Sequence, residues 1–244
     1  MIPKIIHFCW FSDSLETVYP DDVRKCMNSW KEKLPDYEIR CWNEKNFDAS
    51  GLQYTKEALA SKKYAFVSDY VRLFALYNYG GIYLDSDVEV FRNFDDLLQN
   101  QAFTGFEEED RIATWILGSE KGNPLFRELM DDYKERRFLQ PDGSFDLTPN
   151  PVPLTKKMME HGLALNNCFQ KLDCITVYPM DYFCPFNPYR VGKNLFTDHT
   201  YTNHHFNGSW KSGKERIRGK IKILFQKVFG KKMTDKIICR LKSK

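Results

Sequence analysis

The chain has 244 residues, enough for one large domain with a substantial core. Its 42% hydrophobic and 28% charged residues exclude disordered and fibrous classes. Seven scattered cysteines without a C-x-x-C pair argue against a disulfide framework or a structural zinc site, and the net charge of +3 hides a strongly basic C-terminal stretch.

Lys4 to Phe11, β-branched and aromatic, reads as a buried first strand. Asp21 to Lys33 reads as a helix, opened after Pro20 by two acids that suit its positive end. Tyr37 to Trp42 is a second strand, and this strand-helix-strand opening favours an α/β architecture. Thr55 to Tyr79 carries helical spacing in two stretches, ended by Gly80-Gly81 as a left-handed cap. Ile82-Tyr83-Leu84 is a brief strand running into Asp85-Ser86-Asp87, with Val88 to Phe91 extended again. Ala102 to Phe106 and Ile112 to Leu117 are strands, and a helix opens at Pro124 and runs over Leu125 to Arg137. Phe138 to Pro153, rich in Pro, Gly, Asp and Asn, is expected as a long surface loop. Ile175 to Tyr178 and Tyr201 to Phe206 complete the strands. The expected division is one domain over 1–210 and a basic tail over 211–244.

Asp85 and Asp87, with Ser86 between them, fall on the same face of a regular strand, since side chains alternate with a period of two. If the chain turns there, both can converge on one hard cation through oxygen ligands, magnesium or manganese, leaving positions for phosphate oxygens. A D-x-D alone is a weak signal, since acidic turns are common. Its context strengthens it, because an apolar strand places the acids at a carboxyl end, where open α/β sheets bind ligands. Upstream, Ser68, Asp69 and Arg72 lie on neighbouring turns of an apolar helix, with Asp69 and Arg72 on one face.

The string Ala65-Phe66-Val67-Ser68-Asp69-Tyr70-Val71-Arg72, followed by Leu76-Tyr77-Asn78-Tyr79-Gly80-Gly81-Ile82-Tyr83-Leu84-Asp85-Ser86-Asp87, resembles the sugar-binding region with D-x-D motif of glycosyltransferase family 32. It is also similar to the glucosyltransferase domain of large clostridial toxins. Ile2-Pro3-Lys4-Ile5-Ile6-His7-Phe8-Cys9-Trp10 looks like that family's first strand, and His204-His205-Phe206-Asn207-Gly208-Ser209-Trp210 like its ending. The resemblance implies a GT-A fold, a single α/β domain round a mostly parallel sheet, and transfer with retention of anomeric configuration. By the same resemblance Trp10 stacks on the nucleotide base with Tyr83 nearby, and Ser68, Asp69 and Arg72 hold the donor sugar. Asp85 contacts ribose, sugar or metal, Asp87 binds the metal, and Ser209 and Trp210 close over the diphosphate. Strand alternation lets only one of His204 and His205 face inward, and His205 is the expected further metal ligand. Front-face and covalent routes both stay open, and no carboxylate is nominated as a nucleophile.

The implied cofactors are Mn2+ or Mg2+ and a nucleotide sugar, UDP-linked, and the implied acceptor is a lipid-linked glycan of surface polysaccharide, capsule or O-antigen. The tail carries thirteen Lys and Arg residues against Glu215 and Asp235, with Ile217, Ile221, Leu224, Phe225, Val228 and Phe229 at helical spacing. It is expected as a basic amphipathic helix on an anionic membrane surface. No nucleic-acid-binding module accompanies it. The N-terminus lacks a signal-peptide pattern and no window reaches the roughly 20 apolar residues of a bilayer span, so the expected place is cytoplasmic, peripheral on the inner face of the cell membrane. Two other classes use similar material: a metal-dependent phosphohydrolase or nucleotidyltransferase, and a non-catalytic membrane scaffold of the same fold.

Overall fold

A computed structural model describes residues 1–12, 18–188 and 194–207. The sheet opens with β1 (Ile5–Cys9), α1 (Asp21–Lys33) and β2 (Glu38–Trp42), close to the boundaries that apolar periodicity gave. Then come α2 (Gln53–Ala60), α3 (Tyr64–Tyr79), β3 (Gly81–Leu84) and β4 (Val88–Val90). The remainder is β5 (Ala102–Glu108), β6 (Arg111–Ile112), β7 (Ile116–Ser119), α4 (Pro124–Asp132), α5 (Pro151–Glu160), β8 (Gln170–Lys171), β9 (Thr176–Tyr178), α6 (Met180–Phe183) and β10 (Thr202–His204).

The main sheet runs β2-β1-β3-β7-β5-β9-β8, with β6 as a hairpin partner of β5. β2, β1 and β3 are parallel, β7 opposes both β3 and β5, and β9 follows β5 in parallel while β8 opposes it. Five of these seven strands therefore point one way, the α/β, mostly parallel arrangement that the sequence led us to expect. A second sheet of two strands pairs β4 with β10 antiparallel.

Two apolar clusters cover the two faces. On one, Val67, Val71 and Leu76 of α3 pack with Tyr83, Ala102, Phe106 and Leu117, and Leu125, Phe126 and Met158 join from α4 and α5. On the other, Trp30 of α1 packs with Ile6, Phe8, Ile82, Leu84 and Phe103, together with Val88 and Val90 of the small sheet. Removal of this apolar surface from water is the main term holding the layers together. The Trp30 indole donates to the Val88 carbonyl at 2.7 Å and Ser29 Oγ accepts from the Val90 amide at 2.9 Å, so α1 grips the strand that follows Asp87.

Three elements depart from the sequence expectation. The single strand expected over Ile112 to Leu117 is two strands, because Thr114 and Trp115 leave the ladder and lend their carbonyls elsewhere. The helix expected to reach Arg137 stops at Asp132; Arg136 instead covers the rings of Tyr133 and Tyr54, at 4.6 and 4.9 Å. The loop expected to Pro153 gives way to α5 at Pro151. Both prolines sit in the first turn, where a missing N–H costs nothing.

Candidate active site

The path from β1 goes to β2 on one side and later to β3 on the other, so the chain reverses its direction of travel across the sheet between β1 and β3. Open α/β sheets bind ligands beyond the carboxyl ends of strands at such a switch point. Trp10 follows β1 there and Asp85 follows β3.

The sharp start of β3 comes from Gly80 and Gly81, at φ of +69° and +108°. A Cβ at Gly81 would stand 2.6 Å from the Ile5 carbonyl oxygen, closer than any real side chain approaches. His7 fastens the same turn. One ring nitrogen lies 2.7 Å from the Gly80 carbonyl and the other accepts from the Trp42 indole at 3.1 Å. A carbonyl can only accept and an indole N–H can only donate, so the ring is neutral with its proton on Nε2. Burial lowers its pKa to about 4.

Asp85 to Val88 is a tight turn closed by the Val88 amide on the Asp85 carbonyl at 3.1 Å. It turns the two carboxylates onto common ground, as the D-x-D requires. Asp85 is held by its own amide on the Trp115 carbonyl at 2.9 Å and by the Tyr83 hydroxyl at 2.9 Å. Asp87 accepts from the Asn207 amide at 2.9 Å and lies 3.0 Å from His204 Nε2. Burial would raise the Asp87 pKa, but the His204 charge and these hydrogen bonds hold it down at about 2. Burial likewise works against the His204 imidazolium, and Asp87 outweighs it, with Asp85 and Glu107 adding to the upward shift.

Arg72 lies beneath. Its Nη2 is 2.9 Å from Asp69 and 3.5 Å from Asp85, its Nη1 donates to the Thr114 carbonyl at 2.7 Å, and its Nε to the Ser68 carbonyl at 3.2 Å. The guanidinium also sits 4.7 Å over the Tyr83 ring. Although burial opposes the charge, Tyr83, Asp85 and Asp69 raise its pKa, so it stays cationic. Burial pushes the Asp69 carboxyl upward while the guanidinium pulls it back. Nε and one Nη1 N–H are hydrogen-bonded and Nη2 makes both ion pairs, which leaves the second Nη1 N–H. Arg72 is therefore first a clamp that orients Asp69 and Asp85.

Residues 20–104 match the family model described as "Glycosyltransferase sugar-binding region containing DXD motif". The chain carries that sugar-binding region. It is 32% identical over 133 residues to inositol phosphoceramide mannosyltransferase 3 of Schizosaccharomyces pombe, covering 53% of this chain and 36% of that protein. It is 28% identical over 138 residues to mannosyl phosphorylinositol ceramide synthase CSH1 of Saccharomyces cerevisiae, covering 55% of this chain and 36% of that protein. The chain thus spans little more than a third of the length of these relatives. Among solved structures, PaToxG glycosyltransferase superposes with a TM-score of 0.47 at 19% identity, over 65% of this chain and 68% of that one.

Within the sugar-binding region the structure brings together Ser68, Asp69, Arg72, Tyr83, Asp85 and Asp87. Ser68 Oγ back-bonds to the Tyr64 carbonyl at 3.1 Å. Asp69 and Arg72 form a buried pair, not a solvated one, with side chains 13% and 6% exposed. Tyr83, expected near a base, is 1% exposed and has no free face to stack on; its place is under Arg72. Trp10 is half-buried at the rim, edge-on to Tyr19 at 5.0 Å. Ser209 and Trp210 lie outside the described residues.

One expected placement changes. His205 Nε2 is bound to Glu89 at 2.9 Å, and Lys25 sits on the other Glu89 oxygen at 3.6 Å. His204 is the histidine that joins the acids: Asp85, Asp87 and His204 each offer a ligand atom, all within 4.8 Å of one another. The two rings part company, and which of them meets the acids depends on the partner strand's register, which the sequence does not print. His204 pairs with Val88, and its ring packs on Trp115 at 5.0 Å and Phe206 at 4.1 Å. Two carboxylates and one imidazole suit a hard divalent cation, with the nitrogen favouring manganese over magnesium.

Sequence reasoning did not single out Thr114, Trp115 or Asn150. The first two act through backbone carbonyls, which carry no residue-type signal. Asn150 donates to the Asp69 carbonyl at 3.2 Å and accepts from Tyr133 at 3.2 Å, tying the loop before α5 to the site.

Proposed function

We propose that this chain transfers a hexose, with retention of configuration, from a nucleotide sugar to a glycan acceptor. The observation that carries the reading is the convergence of Asp85, Asp87 and His204 at the switch point, inside a region matched to the D-x-D family. These three residues would hold Mn2+ or Mg2+, which neutralises the diphosphate as it leaves. Asp69, pinned by Arg72 and by Asn150 at its carbonyl, is placed to take sugar hydroxyls through its remaining oxygen lone pairs. The N–H of Arg72 left over is available to a hydroxyl or a phosphate. Trp10 offers a partly exposed ring to the nucleotide base. Ser209 and Trp210 keep their proposed place over the diphosphate.

The yeast relatives are named for mannosyl transfer to inositol phosphoceramide, which supports a hexose donor and a lipid-carried acceptor. Those names do not speak for capsule or O-antigen synthesis. No helix among the described residues is long and apolar enough to cross a membrane. We assign residues 211–244 to an anionic membrane surface and the protein to its cytoplasmic side, on the strength of the tail's charge and apolar spacing.

The test is a thermal-shift and transfer assay with UDP-glucose, UDP-galactose and GDP-mannose, each with Mn2+, with Mg2+ and with chelator. A true donor at one hundred times its Kd stabilises by about 2.7 kcal/mol, or about 5 to 10 °C in Tm for a chain of this size. The shift and the transfer should vanish with chelator and in Asp87→Ala. Turnover retained in Asp87→Ala would sink the metal-dependent reading, and binding without transfer to any acceptor would favour a scaffold.

A further inference from the structure

Glu107, which helps to raise the His204 pKa, has no other role described so far. It sits at the carboxyl end of β5, the same edge of the sheet at which β3 delivers Asp85, because β3 and β5 both oppose β7 and so run the same way. One strand intervenes, so the two backbones stand roughly 10 Å apart, a gap that two acidic side chains can span. The register of β5 against β6 shifts between Phe106 and Glu108, so Glu107 sits at a bulge, a place where strands re-aim a side chain, and its carboxylate is within electrostatic range of both His204 and Asp85. Glu108 accepts from Asn187 at 2.7 Å. The carboxylate of Glu107 is half-buried and has no hydrogen bond or ion pair among the described residues. Arg111 Nε pairs with Asp110 at 3.0 Å and its charge also acts on Glu107 from a distance.

A second orphan lies within its electrostatic reach. His204 Nε2 faces Asp87, while His204 Nδ1 is buried with no hydrogen-bond partner. A buried N–H left unpaired costs about 1 to 3 kcal/mol. When a histidine binds a metal through one nitrogen, the other must carry the proton, and it nearly always gives that proton to a carboxylate, a carbonyl or water, which fixes the ring and strengthens the ligand. A buried donor without a hydrogen-bond partner and a carboxylate within electrostatic range of its ring form the arrangement that metal binding would complete.

We propose that Glu107 is the positioning residue of this metal site: its carboxylate accepts the Nδ1–H of His204 when Nε2 serves as the metal ligand. The inference rests on the metal reading of Asp85, Asp87 and His204. Glu107 touches neither metal nor sugar and acts through His204.

The experiment measures Mn2+ affinity of the full chain by the free-ion paramagnetic resonance signal, without donor, for wild type, Glu107→Ala, Glu107→Gln and Glu108→Ala. Wild type should bind one ion. Glu107→Ala should bind about 10- to 100-fold more weakly, the range seen when a ligand's outer hydrogen-bond partner is removed. Glu107→Gln keeps an acceptor oxygen and should lie between, and Glu108→Ala should match wild type. With Mg2+ as the diamagnetic ion, the Nδ1–H resonance of His204 should be slow to exchange in wild type and in Glu107→Gln, and broadened away in Glu107→Ala. Equal Mn2+ affinity in Glu107→Ala and wild type overturns the proposal while leaving the metal site standing. A wild-type chain that binds no Mn2+ overturns the metal reading itself, and this inference with it.

Discussion

Arg72 shows how much of the site is built by one side chain. Its guanidinium faces two carboxylates and two carbonyls with 6% of the side chain exposed, so removing it leaves the buried Asp69 without its paired charge. Breaking a buried pair in this way costs about 3 to 5 kcal/mol. Arg72→Met should therefore lower urea-unfolding stability by that order as well as abolish transfer. Arg72→Lys keeps the charge but has no planar fork for Thr114, Asp69 and Asp85 together, and should lose activity nearly as completely with a smaller loss of stability. If both variants unfold like wild type, Arg72 is not the clamp described. The i, i+3 spacing of Asp69 and Arg72 was legible in the sequence because a helix fixes which residues share a face. The choice between His204 and His205 was not, because it turns on the register of β10 against β4, a contact between residues more than a hundred positions apart. The same pair yields a direct contrast: His204→Ala should weaken Mn2+ binding strongly, and His205→Ala, which severs only the bond to Glu89, should leave it near the wild-type value. The reverse order would return the ligand role to His205.

The element that sets the site is the passage from α3 through Gly80-Gly81 into β3. Its sequence signals were strong, since an apolar helix, a glycine pair and a short apolar run each point to one local structure, and the boundaries agree within a residue or two. What the sequence could not show is that His7 of β1 locks this passage. A histidine in an apolar strand looks the same whether it is a ligand or a strut, and here it is a strut between Gly80 and Trp42. Its consequence is a pH dependence with a definite sign. In the folded chain His7 takes its proton near pH 4, and in the unfolded chain near its ordinary 6.5. Between those values the unfolded chain binds more protons, so this residue makes stability fall as pH falls through that window. The shift corresponds to about 3 kcal/mol in all, at about 1.4 kcal/mol per unit. Unfolding by urea at pH 4 to 7 should show this slope, and His7→Gln, which can still donate to Gly80 and accept from Trp42, should lose up to one proton's worth of it. An unchanged slope would mean that other groups carry the acid sensitivity. Gly81→Ala should be worse at every pH, since its Cβ would meet the Ile5 carbonyl and its φ is +108°. A fall in Tm of about 5 to 10 °C is expected from strain and overlap of about 2 to 3 kcal/mol.

At the scale of the whole molecule, topology and charge each place a surface. The strand order fixes where the ligand crevice opens, and that order was only partly readable, because pairing of β5 with β9 and of β3 with β7 joins distant segments whose sequences say strand without saying neighbour. Charge was readable outright. Residues 211–244 hold thirteen basic against two acidic residues, a formal +11, so the net +3 of the chain leaves −8 for residues 1–210. A body of that charge is repelled by an anionic bilayer, and any attraction must come from the tail, where each basic residue near such a surface contributes about 1 kcal/mol. Sedimentation with vesicles of mixed phosphatidylcholine and phosphatidylserine should carry down the full chain at low salt, less of it as ionic strength approaches 0.5 M and screening shortens the reach of the field, and none with phosphatidylcholine alone. A chain ended after Trp210 should remain in the supernatant at every composition while keeping its Mn2+ affinity, because the ion's ligands all precede that point. Co-sedimentation of the shortened chain would move the membrane-facing surface onto the body itself. Loss of Mn2+ affinity on shortening would instead make the tail part of the site that Asn207 begins to close over Asp87.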